Sequence, residues 1–309
     1  MDLFESKNIK PMLIGEMQDP FDSPVHIYEL KLDGIRCIAY LDKSTTELRN
    51  KRNLKMLAKF PELADIYKHV KQRCILDGEL IVMIDGKPNF DEVRRRSIMS
   101  NPFKIKLAAT KFPASFTTYD ILYYKDHDII DLPLMQRKKL LEKNINENER
   151  LAISRYIEEH GKDLYQLTVD NQLEGIVAKT KDSKYYLGKE TKDWIKIKNM
   201  KDDDFVVCGY ILKKNNVVSI VLGKYSGKNL VYQGHATMGE SKADFKLIKA
   251  IPHIGEQPFK GLPADNDNAV WIEPSLVCIV QYMVTPTGSL RQPVFKSLRG
   301  DKAPEDCVV

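Results

Sequence analysis

Long apolar runs are missing from this chain of 309 residues. The most apolar stretches, 75–84 and 276–284, fall far short of the roughly 20 residues that a helical span needs, and polar groups interrupt both. No membrane partner is expected. The N-terminus, MDLFESKNIKP, carries acids where a signal peptide has basic residues and then an apolar core. The five cysteines (Cys37, Cys74, Cys208, Cys278, Cys307) are odd in number, scattered and without a CxxC pair. That excludes a disulfide scaffold and a zinc ribbon, and it favours a reducing compartment. The six histidines form neither HExxH nor any other metal spacing. GxxxxGK[ST] and GxGxxG are both absent, so phosphate held by this chain is held by side chains rather than by a glycine cradle. There is no fixed-period repeat and no low-complexity tract.

What is present is a globular composition, with 43% hydrophobic and 29% charged residues. The length fits about two domains. The balance of 48 Lys+Arg against 43 Asp+Glu gives a net +5, compatible with a polyanionic partner without demanding one. Residues 1–25 hold three prolines and read as loop with short elements. Residues 26–41 read as two strands joined by a turn at Asp33-Gly34. The spacing of Leu54, Leu57, Leu63, Ile66 and Val70 predicts a helix over 53–71, broken at Pro61. Residues 74–84 form an apolar strand, paired through an Asp-Gly turn with 87–90. Residues 91–111 are polar, basic and weakly patterned; 116–124 read as a strand. Helices are predicted over 134–141, entered through Pro133, and within 151–166. Short strands follow at 175–180 and 194–197.

The pattern changes at Asp202-Asp203-Asp204. Beyond it come strand-type runs at 205–213, 217–224, 230–237 and 270–284, with breaks at Asn215-Asn216, Ser226-Gly227 and 265–268 and one helix near 241–251. This predicts a small β-barrel. The boundary falls near 199–204, giving domains 1–200 and 201–309.

The sharpest local signal is Glu29-Leu-Lys31-Leu-Asp33-Gly34-Ile-Arg36. On a strand, Glu29, Lys31 and Asp33 share a face, and a lysine among apolar neighbours is costly unless that face opens into a cleft. An edge strand with a solvated lysine face is the plainer account of the same residues. Lys196 and Lys198, two apart, also point to one face. A basic run, Arg94-Arg95-Arg96 with Lys104, Lys106 and Lys111, reads most simply as a solvated face, although it suits a polyanion.

KxDGxR resembles the nucleophile motif of the covalent nucleotidyltransferases: ATP-dependent DNA ligases, RNA ligases and mRNA-capping enzymes. Further resemblances follow in order along the chain. Leu48 to Asn53 is similar to the second motif, without its serine, and leaves Arg52 or Arg49 as the functional arginine, with the spacing to Phe60-Pro61 favouring Arg52. Asp77-Gly-Glu79-Leu, Tyr119-Asp-Ile-Leu, Glu174-Gly-Ile-Val-Ala-Lys179 and Trp194-Ile-Lys196-Ile-Lys198 resemble the next four, and 291–302 resembles the C-terminal one. The resemblance spans 26–307, and 270–274 with 293–299 is most similar to ligases of bacterial end-joining and repair systems.

The resemblance implies an α+β nucleotidyltransferase (adenylation) domain over 1–200 followed by an all-β OB-fold domain over 201–309. It implies an ATP-dependent DNA ligase that seals 5′-phosphate/3′-hydroxyl nicks through lysyl-AMP on Lys31 and a DNA-adenylate. A capping-type guanylyltransferase or an RNA ligase shares the lysine chemistry, and an inactive OB-containing binding protein is the non-enzymatic alternative. A lysine near its ordinary value of about 10.4 is not a nucleophile; nearby cations favour the free amine, and by resemblance Lys196 and Lys198 supply them and hold the α-phosphate. The resemblance further implies that Glu29 meets the adenine amine, Tyr119 stacks on the base, Arg36 meets ribose or phosphate, Arg52 takes part in binding the nucleotide, and Glu79 meets ribose or metal. Lys179 is implied to contact phosphate. Glu174 is implied to bind Mg²⁺ or Mn²⁺, and Arg299, Asp301 and Lys302 to orient pyrophosphate. The expected partner is nicked duplex DNA, with an unidentified repair protein beside it. The expected state is a monomer without extra domains, cytoplasmic and at the nucleoid if the source is bacterial.

Overall fold

Two strands that read as one hairpin join different sheets in the computed structural model, which describes residues 2–213, 217–239, 242–259, 261, 266–284 and 289–309. The chain divides into two units, Met1–Asn199 and Met200–Val309. In the first unit, a five-stranded sheet runs β1 (Leu13–Met17), β12 (Glu190–Lys198), β11 (Gly175–Thr180), β2 (Ser23–Leu30), β10 (Tyr156–Glu159). A seven-stranded sheet runs β4 (Thr46–Asn50), β3 (Ile35–Leu41), β5 (Cys74–Ile84), β7 (Ala114–Tyr124), β8 (His127–Asp128). In it β6 (Lys87–Pro88) pairs with β5, and β9 (Leu151–Ile153) pairs with β7. Residues 31–34 therefore bridge the sheets rather than turn a hairpin. Gly34 is required there: a Cβ would stand 2.1 Å from the Leu80 carbonyl oxygen.

β5 and β7 are buried on both faces, as in a sheet covered on both sides. One face packs on a cluster with Leu48, Phe60, Leu76 and Phe116. The other meets a cluster with Met12, Tyr40, Tyr185 and Trp194 that fills the space towards the five-stranded sheet.

Several local expectations need correction. The stretch 53–71 holds no α-helix but three short 3₁₀ turns, Leu57–Lys59, Pro61–Leu63 and Ile66–His69. Pro61 opens the second of these. The weakly patterned 91–111 folds into two helices, α2 (Phe90–Ser97) and α3 (Pro102–Lys111). Their signals are the caps: Asn89 and Asn101 accept from the amides of Glu92 and Lys104, and Pro102 stands in the first turn. Within 151–166 the chain first forms β9 and β10, and a helix, α5 (Gly161–Asp170), begins only afterwards. The helix at Pro133 is α4, Leu134–Asn144.

The second unit is a five-stranded closed barrel in the order β13 (Lys201–Leu212), β14 (Val218–Ser226), β15 (Asn229–Met238), β17 (Leu290–Arg299), β16 (Val270–Val284). One helix, α6 (Lys242–Ala250), accompanies it. The strand β17, over the C-terminal motif, has no counterpart in the sequence reading. Asp202, Asp203 and Asp204, where the pattern changes, already lie within β13, which begins before the predicted strand at 205. The predicted break at Asn215-Asn216 lies outside the described residues, as does Asp265. No described helix is long and apolar enough to cross a membrane.

Candidate active site

Ladder pairing decides which side chains meet. In register, Glu29 pairs with Val177 and Val177 with Lys196; Ile27 pairs with Lys179 and Lys179 with Trp194; Gly175 pairs with Lys198. Paired residues share a face, so Glu29, Lys179, Trp194, Lys196 and Lys198 all lie on one side of the five-stranded sheet. Lys31 continues that side, its amide donating to the Gly175 carbonyl at 2.8 Å. Gly175 has φ +133, and a Cβ there would stand 2.1 Å from the Ile197 carbonyl oxygen. This turn brings Glu174 to Lys31, where the ammonium and carboxylate meet at 2.7 Å.

A cavity of about 240 Å³ opens against this face. Six residues named from the sequence line it: Glu29, Lys31, Arg36, Glu79, Tyr119 and Lys179, with Trp194 between them. Tyr119 and Trp194 meet edge to face at 6.1 Å. The Lys179 ammonium lies over both rings, 4.4 Å and 4.2 Å from their centroids. It also donates to Glu29 at 3.1 Å. Lys138, from α4, pairs with the other oxygen of Glu29. Burial pulls the Lys179 ammonium down to about 8, against the Glu29 charge and helped by the neighbouring Lys138 cation. Burial pushes the Glu79 carboxyl up to about 8, although Arg36 and Lys31 oppose the shift.

Arg36 does not project freely into the cavity. It forms a two-pronged pair with Asp77 at 3.0 and 2.6 Å, and the Tyr185 hydroxyl donates to the same carboxylate at 2.7 Å. The Met12 amide donates to that hydroxyl at 3.0 Å. This network ties the seven-stranded sheet to the segment before β12 and holds Arg36 5.7 Å from the Tyr119 and Trp194 rings.

The other candidates lie elsewhere. Arg52 is exposed on the turn after β4, away from the lining, and Arg49 pairs with Glu47 at 2.5 Å. In the second unit, Arg299 and Lys302 both reach Asp204, at 2.6 and 2.9 Å, and Arg299 also binds Asp301 at 2.8 Å. Burial works against the Asp204 charge, but hydrogen bonds from Lys302 and Arg299 hold its carboxyl below the usual range.

Lys138 and its neighbour Arg137 escaped the sequence reading. Arg137 is fully buried and clamps Asp120, the residue after Tyr119, at 2.8 and 2.9 Å. Their signal is positional. Leu134 and Leu141 set the buried side of α4, and residues three and four beyond Leu134 fall on it, where apolar side chains belong.

No described group of three or more His, Cys, Asp or Glu could cage a metal ion. Glu79 and Glu174 fit a hard cation that takes one or two carboxylates and fills its remaining positions with phosphate oxygens and water.

A nucleotidyltransferase-like domain with a lysine and two carboxylates at its cleft, followed by an OB-type closed barrel, defines the class. Comparison makes it specific. Residues 11–198 match the ATP dependent DNA ligase domain, and 213–302 match the ATP dependent DNA ligase C terminal region. The chain belongs to the ATP-dependent DNA ligase family. It is 28% identical over 295 residues to the SPbeta prophage-derived DNA ligase-like protein LigB of Bacillus subtilis, covering 94% of this chain and 99% of that one. It is 27% identical over 320 residues to the multifunctional non-homologous end joining DNA repair protein LigD of Mycobacterium tuberculosis. That match covers 99% of this chain but only 40% of LigD. A solved structure of mycobacterial DNA ligase D with ATP superposes with a TM-score of 0.58 at 26% identity, over 98% of both chains. The protein is thus an ATP-dependent DNA ligase, an enzyme that takes ATP and DNA and works with a divalent metal.

Proposed function

We propose that Lys31 is the nucleophile that carries AMP, and that the enzyme seals nicks in duplex DNA in three steps. The Lys31 amine attacks the α-phosphorus of ATP; the P–N bond forms as the bond to pyrophosphate breaks. AMP then passes to the 5′-phosphate at the nick, and Lys31 regains its amine. The 3′-hydroxyl next attacks that 5′-phosphate, and AMP leaves. The observation that carries this reading is the placement of Lys31 at the cavity lining, 2.7 Å from Glu174 and on the same sheet face as Lys196 and Lys198.

In this reading Tyr119 and Trp194 flank the base, Glu29 accepts from its amine, and Lys138 and Lys179 hold the Glu29 carboxylate in place. Lys179 serves the base pocket rather than phosphate, because its ammonium is already committed to Glu29 and the two rings. Lys196 and Lys198 face the triphosphate. Glu79 and Glu174 would hold Mg²⁺ or Mn²⁺, which when bound offsets charge on the phosphate oxygens. Arg36 acts through Asp77 and Tyr185 on the cavity wall. Arg299, Asp301 and Lys302 orient the leaving pyrophosphate. The domain roles follow: adenylation in 1–200 and closure by the barrel in 201–309. The protein works as a monomer in repair of DNA breaks.

Incubation with α-labelled ATP or GTP and Mg²⁺ tests the core of this. Label from ATP stays on wild type and is lost in Lys31→Ala, while Lys31→Ala still seals a nick supplied already adenylated. Labelling of Lys31→Ala at the wild-type level would remove Lys31 from the role.

A further inference from the structure

The basic run after β6 is two different things. Arg96 is fully buried and bound to Glu62, and Arg95 pairs with Glu92. Arg94, Lys104, Lys106 and Lys111 are exposed and make no ion pair among the described residues. From 93 to 112 the sequence contains no carboxylate at all. α3 has no acid in its first turn, so the positive end of its dipole is uncompensated by its own side chains.

The helix α3 also has two apolar sides. Ile105 and Ala108 are buried and face the domain. Phe103 and Leu107, one turn apart on the opposite side, are 75% and 57% exposed, and Ile98 at the end of α2 is 79% exposed. Lys104 and Lys111 flank this outer stripe on one side and Lys106 on the other.

We propose that the outer face of α2 and α3 grips the duplex beside the break, its cations on successive phosphates and Phe103 and Leu107 against the groove. The proposal rests on the ligase function and extends it to a surface. Lys104 and Lys111 are seven residues apart, about 10 Å along a helix. Phosphates of one strand recur about every 3.4 Å along the duplex axis, so the pair spans about three of them. The distance to the chemistry suits this. The Asn89 amide, which opens α2, donates to the Val82 carbonyl at 2.8 Å. Val82 is three residues beyond Glu79 on β5, about 10 Å along the strand, or about three base pairs. An acidic protein would also satisfy the cations, but duplex DNA is the substrate that must lie within a few base pairs of Lys31.

The experiment compares wild type with a Lys104→Ala, Lys106→Ala, Lys111→Ala triple variant and a Phe103→Ser, Leu107→Ser double variant. The probe is a nicked duplex ending in a 3′-deoxy nucleotide, so that binding is read without sealing, across a range of NaCl. All altered side chains are exposed, so melting temperature and self-labelling with ATP are expected to match wild type. The triple variant should bind the nick at least about tenfold more weakly at low salt. Its log–log salt slope should become shallower by about 0.9 for each phosphate that is no longer neutralised. The double variant should bind more weakly with the slope unchanged. Wild-type affinity and slope in a folded, self-labelling triple variant overturn the proposal and leave the face to an acidic protein or to solvent. Failure of wild type itself to label or seal would instead strike the ligase reading.

Discussion

The Lys31 ammonium is bound to the Glu174 carboxylate at 2.7 Å, and that carboxylate is almost wholly buried. One acid thus serves as counter-ion to the amine, and it is the same acid proposed above to hold a cation.

Glu174→Ala should slow self-labelling by about 100- to 1,000-fold, the usual scale for losing one group that stabilises charge in a transition state. Added Mg²⁺ should restore part of the rate. Labelling at the wild-type rate under limiting Mg²⁺ would reduce Glu174 to a partner of Lys31 alone.

Lys179 gives a pH signature. Its native value, about 8, lies below the ordinary 10.5 because burial disfavours the ammonium. Between those values the unfolded chain holds more protons than the folded one, so this group makes stability rise with pH across that window. Below pH 8 the burial penalty is present in full. Lys179→Met removes the charge, so its stability relative to wild type should be best at about pH 7 and worsen towards about pH 10. Urea unfolding at several pH values checks the trend; a difference independent of pH would refute the assignment.

Asp301→Ala with Lys302→Ala should block self-labelling while leaving the sealing of a pre-adenylated nick near normal. An interaction made in one step can affect only that step. Gel assays of the two reactions separate the outcomes: equal loss in both would move the pair from pyrophosphate to DNA.

Arg96→Ala should destabilise the first unit by about 3 kcal/mol, since it leaves the largely buried Glu62 carboxylate with the Ala114 amide but without its cation. Arg94→Ala, at an exposed position, should change stability by less than about 0.5 kcal/mol. Denaturant midpoints for the two variants test whether neighbouring arginines differ this much.

The legibility of the sequence followed the range of the interactions. Lys31 and Glu174 were visible because each sits at a strand end near a glycine, where local chemistry is restrictive; Glu79 and Tyr119 stand in the middle of β5 and β7 and were visible only through their motifs. Strands rich in apolar residues, such as 74–84 and 116–124, were visible from that richness although Asp77, Glu79 and Asp120 interrupt them. The stretch 53–71 misled because its leucines pack on β4 and β7 through irregular turns that happen to share a helical spacing. Lys138 was hidden because a buried cation in a QRKK run reads like a solvated one until its partner Glu29, far earlier in the chain, is brought to it. Arg52 is the opposite case: the motif pointed to it, and the fold leaves it on an exposed turn.

The four residues from Lys31 to Gly34 are all that join the two sheets at this point. Glu174 hangs from one sheet and Glu79 from the other, and Lys31 stands between. Lys31 is therefore tied to both sheets at once: it binds Glu174 at 2.7 Å, and its charge also acts on the Glu79 carboxyl. The packing of Met12 and Tyr185 between the sheets, outside the cavity lining, thereby bears on where the Lys31 side chain stands.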